Sequence, residues 1–215
     1  MDVAVAGGHG KIALRFLRLL SERGERGRGL IRNPDHAPDL EAVGALAVGA
    51  DLESLDADAI ATSIAGADTV VFAAGAGPGS GPARKHTVDY GAAVKLIEAA
   101  KLAGISRYLI VSAMGVRDPG ARGERMRPYY EAKLKADQAL IDSGLEYTIV
   151  RPGMLTDDPG VGLIDVAEHL ARIGGIPRDD VAATLLACLD EPATIGKAFD
   201  LLGGEQPIAE ALREL

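Results

Sequence analysis

A glycine-rich turn near the N-terminus constrains the fold of this chain more than any other feature. An apolar run, Val3–Ala6, leads into Gly7, and apolar residues recur at helical spacing over Ile12–Leu20. Between these segments, Gly7, Gly10 and Ala13 are spaced three residues apart. A strand, a glycine turn and a helix in this order favour dinucleotide binding, because small residues let the pyrophosphate approach and the helix N-terminus offers free amides.

We therefore predict a dinucleotide at this turn, rather than a glycine turn without a ligand, held by Gly7, Gly10, Lys11 and Ile12. The end of the second strand indicates which dinucleotide it is. An NAD site usually carries an acid there for the ribose 2′-hydroxyl, whereas here Arg32 follows the strand and no acid comes before Asp35. A planar guanidinium suits the 2′-phosphate, so the sequence favours NADP over the alternative NAD. The other interpretation of Arg32 is a solvated side chain beside a turn.

Apolar segments that favour strands alternate with amphipathic segments along the chain. The predicted strands are Val3–Ala6, Gly29–Arg32, Ala45–Val48, Thr69–Ala73, Tyr108–Ser112, Tyr147–Arg151 and Ala198–Leu201. The predicted helices are Ile12–Leu20, Leu55–Ile64, Arg84–Ala103, Pro128–Ser143 and Asp179–Leu189. Continuously apolar strands are typical of a parallel sheet covered on both faces. We predict a Rossmann-type, doubly wound α/β fold forming one domain over 1–215, in which 152–215 add a small substrate-side lobe.

The composition narrows the range of functions. Hydrophobic residues make up 47% and charged residues 25% of the 215 residues, as in an ordinary globular protein. A net charge of −8 argues against a nucleic-acid partner. The single cysteine, Cys188, excludes an internal disulfide and suits a reducing cytoplasm, which is where we expect the protein. We expect no signal peptide, no membrane span and no metal site, since the histidines are scattered at His9, His36, His86 and His169.

Two further strand ends carry candidate cofactor residues. After the third strand, Asp51 could accept a hydrogen bond from the adenine amino group, or it could cap the following helix. After the fourth strand, the loop Gly75–Pro82 is rich in glycine and proline, and we interpret it as a loop at the active face.

With these segments identified, the chain resembles the atypical short-chain dehydrogenase/reductases, the NAD(P)H-binding group that includes NmrA-like and biliverdin-reductase-B-like proteins. The resemblance covers nearly the whole chain. It rests on Gly7–Ala13, Asp51-Leu52, Ala73–Gly75, Val111–Ala113, Tyr129–Lys133 and Arg151–Thr156.

The resemblance implies roles for individual residues. The catalytic set it implies is Ser112, Tyr129 and Lys133, with Asp89 where the wider family usually has an asparagine. Ser112 would hydrogen-bond the substrate oxygen, and Lys133 would also hold the nicotinamide ribose. The implied cofactor contacts are Asp51, Leu52, Ala73, Ala74, Gly75, Lys133, Arg151, Pro152 and Gly153.

The spacing of Tyr129 and Lys133 makes acid–base chemistry plausible. Residues four apart share a helix face, and a nearby ammonium lowers the pKa of a tyrosine toward the range in which it exchanges protons. Tyr130 lies three residues from Lys133 and competes for this role. The alternative is that both tyrosines pack the start of a helix and Lys133 is solvated.

The segment Arg117–Arg127 connects the predicted Ser112 and Tyr129 positions. It holds the basic residues Arg117, Arg122, Arg125 and Arg127. These could recognise an anionic substrate, but a solvated loop is the commoner explanation and the one we favour.

Two functions remain open at this level. The first is an NADP-dependent oxidoreductase or epimerase that acts on a small carbonyl or alcohol substrate. The second is a catalytically idle NAD(P)-binding redox sensor, which would need a protein partner; a homo-oligomer is also open. About 60 residues follow Arg151, which is little room for a lobe that would hold a bulky nucleotide sugar.

Overall fold

The computed structural model describes residues 1–77, 79–121 and 123–215. Pro78, in the predicted active-face loop, and Arg122, in the basic segment, lie outside the described residues. The strands are β1 Asp2–Ala6, β2 Arg26–Ile31, β3 Leu46–Gly49, β4 Thr69–Phe72, β5 Arg107–Val111, β6 Glu146–Pro152, β7 Met154–Thr156, β8 Leu163–Ala167, β9 Gly175–Pro177, β10 Lys197–Gly203 and β11 Gln206–Pro207.

The α-helices alternate with these strands. They are α1 Lys11–Glu22, α2 Ala37–Ala42, α3 Ala57–Ile64, α4 Pro82–Arg84, α5 Ala93–Leu102, α6 Arg127–Ile141, α7 Arg178–Asp190 and α8 Ile208–Arg213. A π-helix, Lys85–Ala92, joins α4 to α5, and short 3₁₀ turns occupy Pro34–His36 and Pro192–Thr194.

One large sheet forms the centre, with the strand order β11-β8-β10-β6-β5-β4-β1-β2-β3. From β10 to β3 every neighbouring pair is parallel, whereas β8 runs antiparallel to β10 and β11. The chain winds outward in both directions from β1, so the strand order reverses between β1 and β4. Open α/β sheets bind ligands at the carboxyl ends of the strands beside such a reversal. The predicted Rossmann-type fold is confirmed, and its ligand edge is thereby located.

Helices cover both faces of the sheet. On one face α1 packs against α7, and Phe16, Leu17 and Leu20 of α1 are completely buried. On the other face α3 packs against α5, where Ile60 and Leu96 are completely buried. The helical spacing of apolar residues explains this arrangement, because each helix buries one stripe against the apolar strands.

The C-terminal part differs from the sequence prediction. The residues after Arg151 were expected to form a lobe with one strand, but they form β7, β8, β9, β10 and β11, of which β7 and β9 make a separate two-stranded sheet. The prediction also missed α2 and placed most boundaries a few residues off. Strands of two to five residues carry too little pattern to be recognised, and their pairing depends on distant parts of the chain.

The predicted helix Arg84–Ala103 is real but not uniform. It starts at Pro82, ends at Leu102 and contains the eight-residue π-helix. π-helical turns are rare and frequently occur at functional sites. Here the π-helix buries Val88, Asp89 and Ala92, so it turns a carboxylate into the interior. Among the described residues, no helix has the length and apolar character that crossing a membrane requires.

Candidate functional site

The glycine turn joins β1 to α1 with little space around its backbone. Gly7 has a φ of +76°, and a Cβ there would lie 2.6 Å from the Cα of Ala74. The amide of Gly10 donates to the carbonyl of Gly7 over 2.7 Å. Gly10 is the N-cap of α1, so no side chain caps the helix, and its first turn carries no acid. The amides at this end therefore suit an anionic group such as a pyrophosphate.

A cavity of about 280 Å³ opens beside this turn, at the strand-order reversal. Eight of the predicted cofactor residues line it: Gly7, Gly10, Arg32, Asp51, Leu52, Ala73, Ala74 and Gly75. Its wall also includes His9, His36, Glu53, Arg84 and Val88. A backbone that approaches closely on one side and a mixed polar and apolar wall on the other fit the adenosine half of a dinucleotide.

Two predicted cofactor residues at the start of α1 point elsewhere. The ammonium of Lys11 lies 2.7 Å from a carboxylate oxygen of Asp157, in the C-terminal part. Ile12 is buried in the core under the turn. Lys11 thus ties the glycine turn to the loop after β7, and Ile12 can contribute to the cofactor site only through its backbone.

Asp51 does not cap the helix after it. Its carboxylate accepts the amide of Glu53 over 3.1 Å and so shapes the turn after β3. The N-cap of α3 is Asp56, whose side chain accepts the amide of Ala59 over 2.9 Å. The capping alternative for Asp51 is therefore wrong, while its contact with adenine stays a prediction.

Charged side chains from three distant segments meet at the mouth of the cavity. The carboxylate of Glu53 lies 3.0 Å from a guanidinium nitrogen of Arg84 and 3.4 Å from one of Arg32. Its second oxygen accepts the hydroxyl of Thr87 over 2.8 Å. Burial opposes ionisation of Glu53, but the hydrogen bonds from Arg84 and Thr87 hold its pKa below the ordinary value. The sequence analysis missed Glu53 and Arg84, because nothing local connects them with Arg32.

Lys133 is buried, which contradicts the alternative of a solvated lysine. Its ammonium donates to the carbonyl of Val111 over 2.9 Å and lies 3.7 Å from a carboxylate oxygen of Asp89. Lys133 is 3% and Asp89 1% exposed. Burial lowers the pKa of Lys133, and the negative charge of Asp89 opposes that shift. Because the ammonium is engaged in this way, its contact with the nicotinamide ribose stays a prediction.

Ser112 and Asp89 place side-chain oxygens near the carboxyl end of β5. Ser112 follows Val111 at the carboxyl end of β5 and is buried. Among the described residues its Oγ makes no hydrogen bond of ordinary geometry, although it lies close enough to the carboxyl of Asp137 to lower the pKa of that group. One Asp89 oxygen accepts the amide of Ala76 over 3.2 Å, so Asp89 also fixes the loop after β4. A buried hydroxyl without a partner is a candidate contact for a ligand, because leaving it unsatisfied is costly.

Tyr129 lies one helical turn before Lys133, but its pKa is raised rather than lowered. Burial is the largest cause, followed by the negative charge of Asp89. The expectation that Lys133 lowers this pKa is therefore wrong, because Asp89 and Val111 hold the ammonium and a carboxylate stands close by. The phenol remains protonated at neutral pH.

A second ion pair lies behind Ser112. Arg151, predicted as a cofactor contact, donates through Nε to Asp137 over 2.9 Å, and both side chains are buried. Burial raises the pKa of Asp137, and the guanidinium of Arg151 opposes that shift. The sequence analysis missed Asp137, although its position four residues after Lys133 on α6 places both on one helix face.

Pro152 and Gly153 have structural reasons for their positions. The carbonyl of Pro152 accepts the amide of Met114 over 2.9 Å, and the amide of Gly153 donates to Leu201 over 2.9 Å. A Cβ on Gly153 would collide with Leu202 and with the carbonyl of Gly174. The glycine is thus required for close packing of the C-terminal part, and a role toward the cofactor stays a prediction.

Other candidates lie outside the site. Burial raises the pKa of the Cys188 thiol to about 12, as expected for a buried side chain that is not a nucleophile. Of the described basic residues after β5, Arg117 donates to the backbone of Glu168 and Arg127 pairs with Glu124 at the surface. This agrees with a solvated loop. Among the described residues, no group of three or more His, Cys, Asp and Glu side chains could hold a metal ion.

Comparison with known proteins agrees with this geometry. The family model described as NAD(P)H-binding matches residues 7–192. The uncharacterized sugar epimerase YhfK of Bacillus subtilis is 43% identical over the full length of both chains. A solved structure from Bacillus halodurans, provisionally assigned as an NAD-dependent epimerase/dehydratase, is 38% identical, with a TM-score of 0.94 over 100% of both chains. The oxidoreductase ylbE of Lactococcus lactis is 28% identical, with a TM-score of 0.88 over 100% of this chain and 96% of that one.

Proposed function

The chain belongs to the NAD(P)H-binding family, and on that premise we propose that it is an NADP-dependent oxidoreductase that reduces a small carbonyl compound. The observation that carries the proposal is the buried junction of Lys133, Asp89 and the Val111 carbonyl, directly beside Ser112. Buried charged groups at the carboxyl end of a Rossmann sheet, next to a dinucleotide pocket, are typical of an active site.

In this proposal, Ser112 and Tyr129 each contact the carbonyl oxygen of the substrate and have different roles. When bound, the reduced nicotinamide supplies a hydride to the carbonyl carbon. The Ser112 hydroxyl donates a hydrogen bond that orients the carbonyl oxygen. Tyr129 donates its phenolic proton to that oxygen, so that hydride and proton together convert the carbonyl to an alcohol. Solvent then returns a proton to the Tyr129 phenolate.

The protonation state of Tyr129 at neutral pH is the one from which reduction starts. A group with a raised pKa holds its proton at neutral pH and serves as a donor, whereas alcohol oxidation needs a phenolate that accepts a proton. Asp89 contributes to this protonation state, because its negative charge disfavours the phenolate. An asparagine at this position would lack that charge.

The position of Arg32 supports NADP, rather than NAD, as the cofactor in this proposal. Arg32 lies at the carboxyl end of β2 and lines the cavity, in the position from which Rossmann proteins contact the adenosine ribose. A guanidinium there would bind the 2′-phosphate through charge-assisted hydrogen bonds.

Two exposed apolar side chains lie in the C-terminal part, after the carboxyl end of β6. Met154, at the start of β7, is 71% exposed, and Ile173, just before β9, is 76% exposed. β7 follows the end of β6 directly, so both side chains lie near the edge of the sheet that holds Ser112. These residues favour a substrate with an apolar portion beside its carbonyl group.

Epimerisation is a second candidate, favoured by the name of the Bacillus subtilis relative. An epimerase that works by transient oxidation must remove a proton from an alcohol before it returns one. We place reduction before epimerisation because the roughly 60 residues after Arg151 leave little room for a bulky nucleotide sugar.

A screen with labelled cofactor tests the proposal. Purified protein is mixed with NADPH carrying deuterium at the transferable C4 position and with panels of aldehydes, ketones and quinones. A reductase oxidises NADPH and places the deuterium in the product. A parallel assay with NADP and a panel of alcohols and sugars tests for an epimerase, which would invert a stereocentre without net formation of NADPH. Tight NADPH binding without turnover of any panel would favour the redox-sensor alternative and a protein partner.

A further inference from the structure

The charged cluster at the mouth of the cavity contains more than the arginine that the sequence analysis identified. Arg32 follows β2, Glu53 follows β3 and Arg84 ends α4, so three separate segments converge there. All three residues line the cavity beside the glycine turn. Their side chains are partly exposed, at 57% for Arg32, 28% for Glu53 and 39% for Arg84, so a ligand can reach them.

Glu53 holds the two arginines together through one oxygen. That oxygen lies 3.0 Å from Nη2 and 3.4 Å from Nε of Arg84, which approaches with two nitrogens, and 3.4 Å from Nη1 of Arg32. Its other oxygen is bound by Thr87 at 2.8 Å, and the backbone carbonyl of Glu53 accepts the ammonium of Lys95 at 2.9 Å. The turn that carries Glu53 is therefore anchored independently of the arginines.

The charges in this cluster oppose one another with respect to cofactor choice. Two guanidinium groups attract the 2′-phosphate of NADP, which carries a negative charge that NAD lacks. A carboxylate repels that phosphate but accepts a hydrogen bond from the 2′-hydroxyl of NAD. Asp51 also lines the cavity and adds a second carboxylate, so the planar guanidinium forks, rather than a net positive charge, favour the phosphate.

We propose that Arg84 binds the 2′-phosphate of NADP together with Arg32, and that Glu53 limits the preference for NADP by competing with the phosphate for both guanidinium groups. The inference rests on the proposed function in one respect, namely that the cavity binds a nicotinamide dinucleotide. It adds two specificity-determining residues to that site, one that strengthens and one that weakens the preference for NADP.

Direct binding measurements test this inference without any turnover. NADPH and NADH are titrated into the wild-type protein and into Arg84→Ala, Arg84→Lys and Glu53→Gln, followed by nicotinamide fluorescence. Arg84→Ala removes a charge-assisted hydrogen bond to the 2′-phosphate. It should therefore bind NADPH about tenfold to a hundredfold more weakly than the wild type and bind NADH unchanged. Arg84→Lys keeps the charge without the planar fork and should fall between wild type and Arg84→Ala. Glu53→Gln should raise the ratio of NADPH to NADH affinity.

Arg26→Ala is the matched control, because Arg26 is an exposed arginine at the opposite end of β2 that pairs with Asp2. It should change neither affinity, and circular dichroism should show every variant folded. Equal losses of both cofactors in Arg84→Ala, or a lowered ratio in Glu53→Gln, would overturn the inference while dinucleotide binding stands. If the wild-type protein binds neither NADPH nor NADH, the proposed function fails as well, and the inference with it.

Discussion

Lys133 and Asp89 face each other inside the protein, with the ammonium nitrogen 3.7 Å from a carboxylate oxygen and both side chains almost completely shielded from water. The pair connects α6, which carries Tyr129, to the π-helix. Because a buried charge is costly without a partner, the Lys133 ammonium depends on the carboxylate of Asp89 to offset the cost of its burial. The pair therefore sets both the stability of the site and the proton affinity of the groups around it.

Removal of Asp89 should destabilise the fold. Asp89→Ala leaves the buried ammonium of Lys133 with the Val111 carbonyl as its hydrogen-bond acceptor and without its nearest carboxylate, and breaking a buried pair typically costs about 3–5 kcal/mol. Urea unfolding measures the change. Glu22→Ala is the control, since it removes the partner of Arg18 in an exposed pair and should cost at most about 1 kcal/mol. Equal small losses would show that the Lys133–Asp89 pair contributes little.

The pH profile of carbonyl reduction should reveal the raised pKa of Tyr129. A proton donor is active in its protonated form, so the rate falls as the pH rises through its pKa. Because burial and Asp89 raise that pKa, the wild-type rate at saturating NADPH should show no alkaline loss up to about pH 10, the ordinary pKa of tyrosine. Asp89→Asn should move the loss to lower pH. A wild-type midpoint clearly below that of free tyrosine would mean that Lys133 controls the phenol after all.

A side chain on Gly10 should abolish dinucleotide binding. A Cβ at Gly10 lies 3.0 Å from the carbonyl oxygen of Gly7, and a valine would add two methyl groups where the pyrophosphate must approach. We expect Gly10→Val to fold, as judged by circular dichroism, but to bind neither NADPH nor NADH in a fluorescence titration. Gly49→Ala is the control, because a Cβ there meets no atom within 4 Å. Unchanged affinity in Gly10→Val would contradict the assignment of the turn.

Arg32→Ala should separate the two cofactors. The loss of a charge-assisted hydrogen bond to the 2′-phosphate should weaken NADPH binding about tenfold to a hundredfold. NADH, which lacks the phosphate, serves as the internal control and should keep its affinity. If calorimetric titration gives equal changes for both cofactors, Arg32 is not a discriminator.

The sequence predicted the parts of the fold that depend on local pattern. The glycine turn, the apolar strands and the amphipathic stripe of α1 are each encoded within a short segment, so their type and order could be inferred. The π-helix could not be predicted, because the wider turn around Asp89 depends on what the helix packs against. The two-stranded sheet of β7 and β9 escaped for a similar reason, since segments of three residues carry no periodicity.

The site likewise contains residues that the sequence predicts and residues that only the structure brings together. Gly7, Arg32 and Asp51 follow strand ends, so a sequence motif and the rule for parallel sheets place them together. Arg84 and Glu53 are 31 residues apart in the sequence and meet only because α4, which ends at Arg84, lies over the turn after β3. The sequence analysis predicted a lowered pKa for Tyr129, whereas the pKa is raised, because its direction depends on which charged groups lie close to the phenol. The sequence shows that Lys133 is four residues away, but not that Asp89 and Val111 occupy its ammonium.

Tyr129→Phe tests the chemical step itself. The substitution removes only the hydroxyl, so the packing of the ring against Tyr130 and Lys85 and the affinity for NADPH should survive. General acid catalysis typically contributes about 10²–10⁴-fold, so turnover of a substrate found in the screen should fall by that order. Tyr130→Phe is the matched control, because it removes the same group one position along α6 and should leave turnover intact. The reverse result would assign the proton donor to Tyr130. Full activity in both variants would mean that the proton reaches the substrate from another group or from water, and that Ser112 and Lys133 serve only to orient substrate and cofactor.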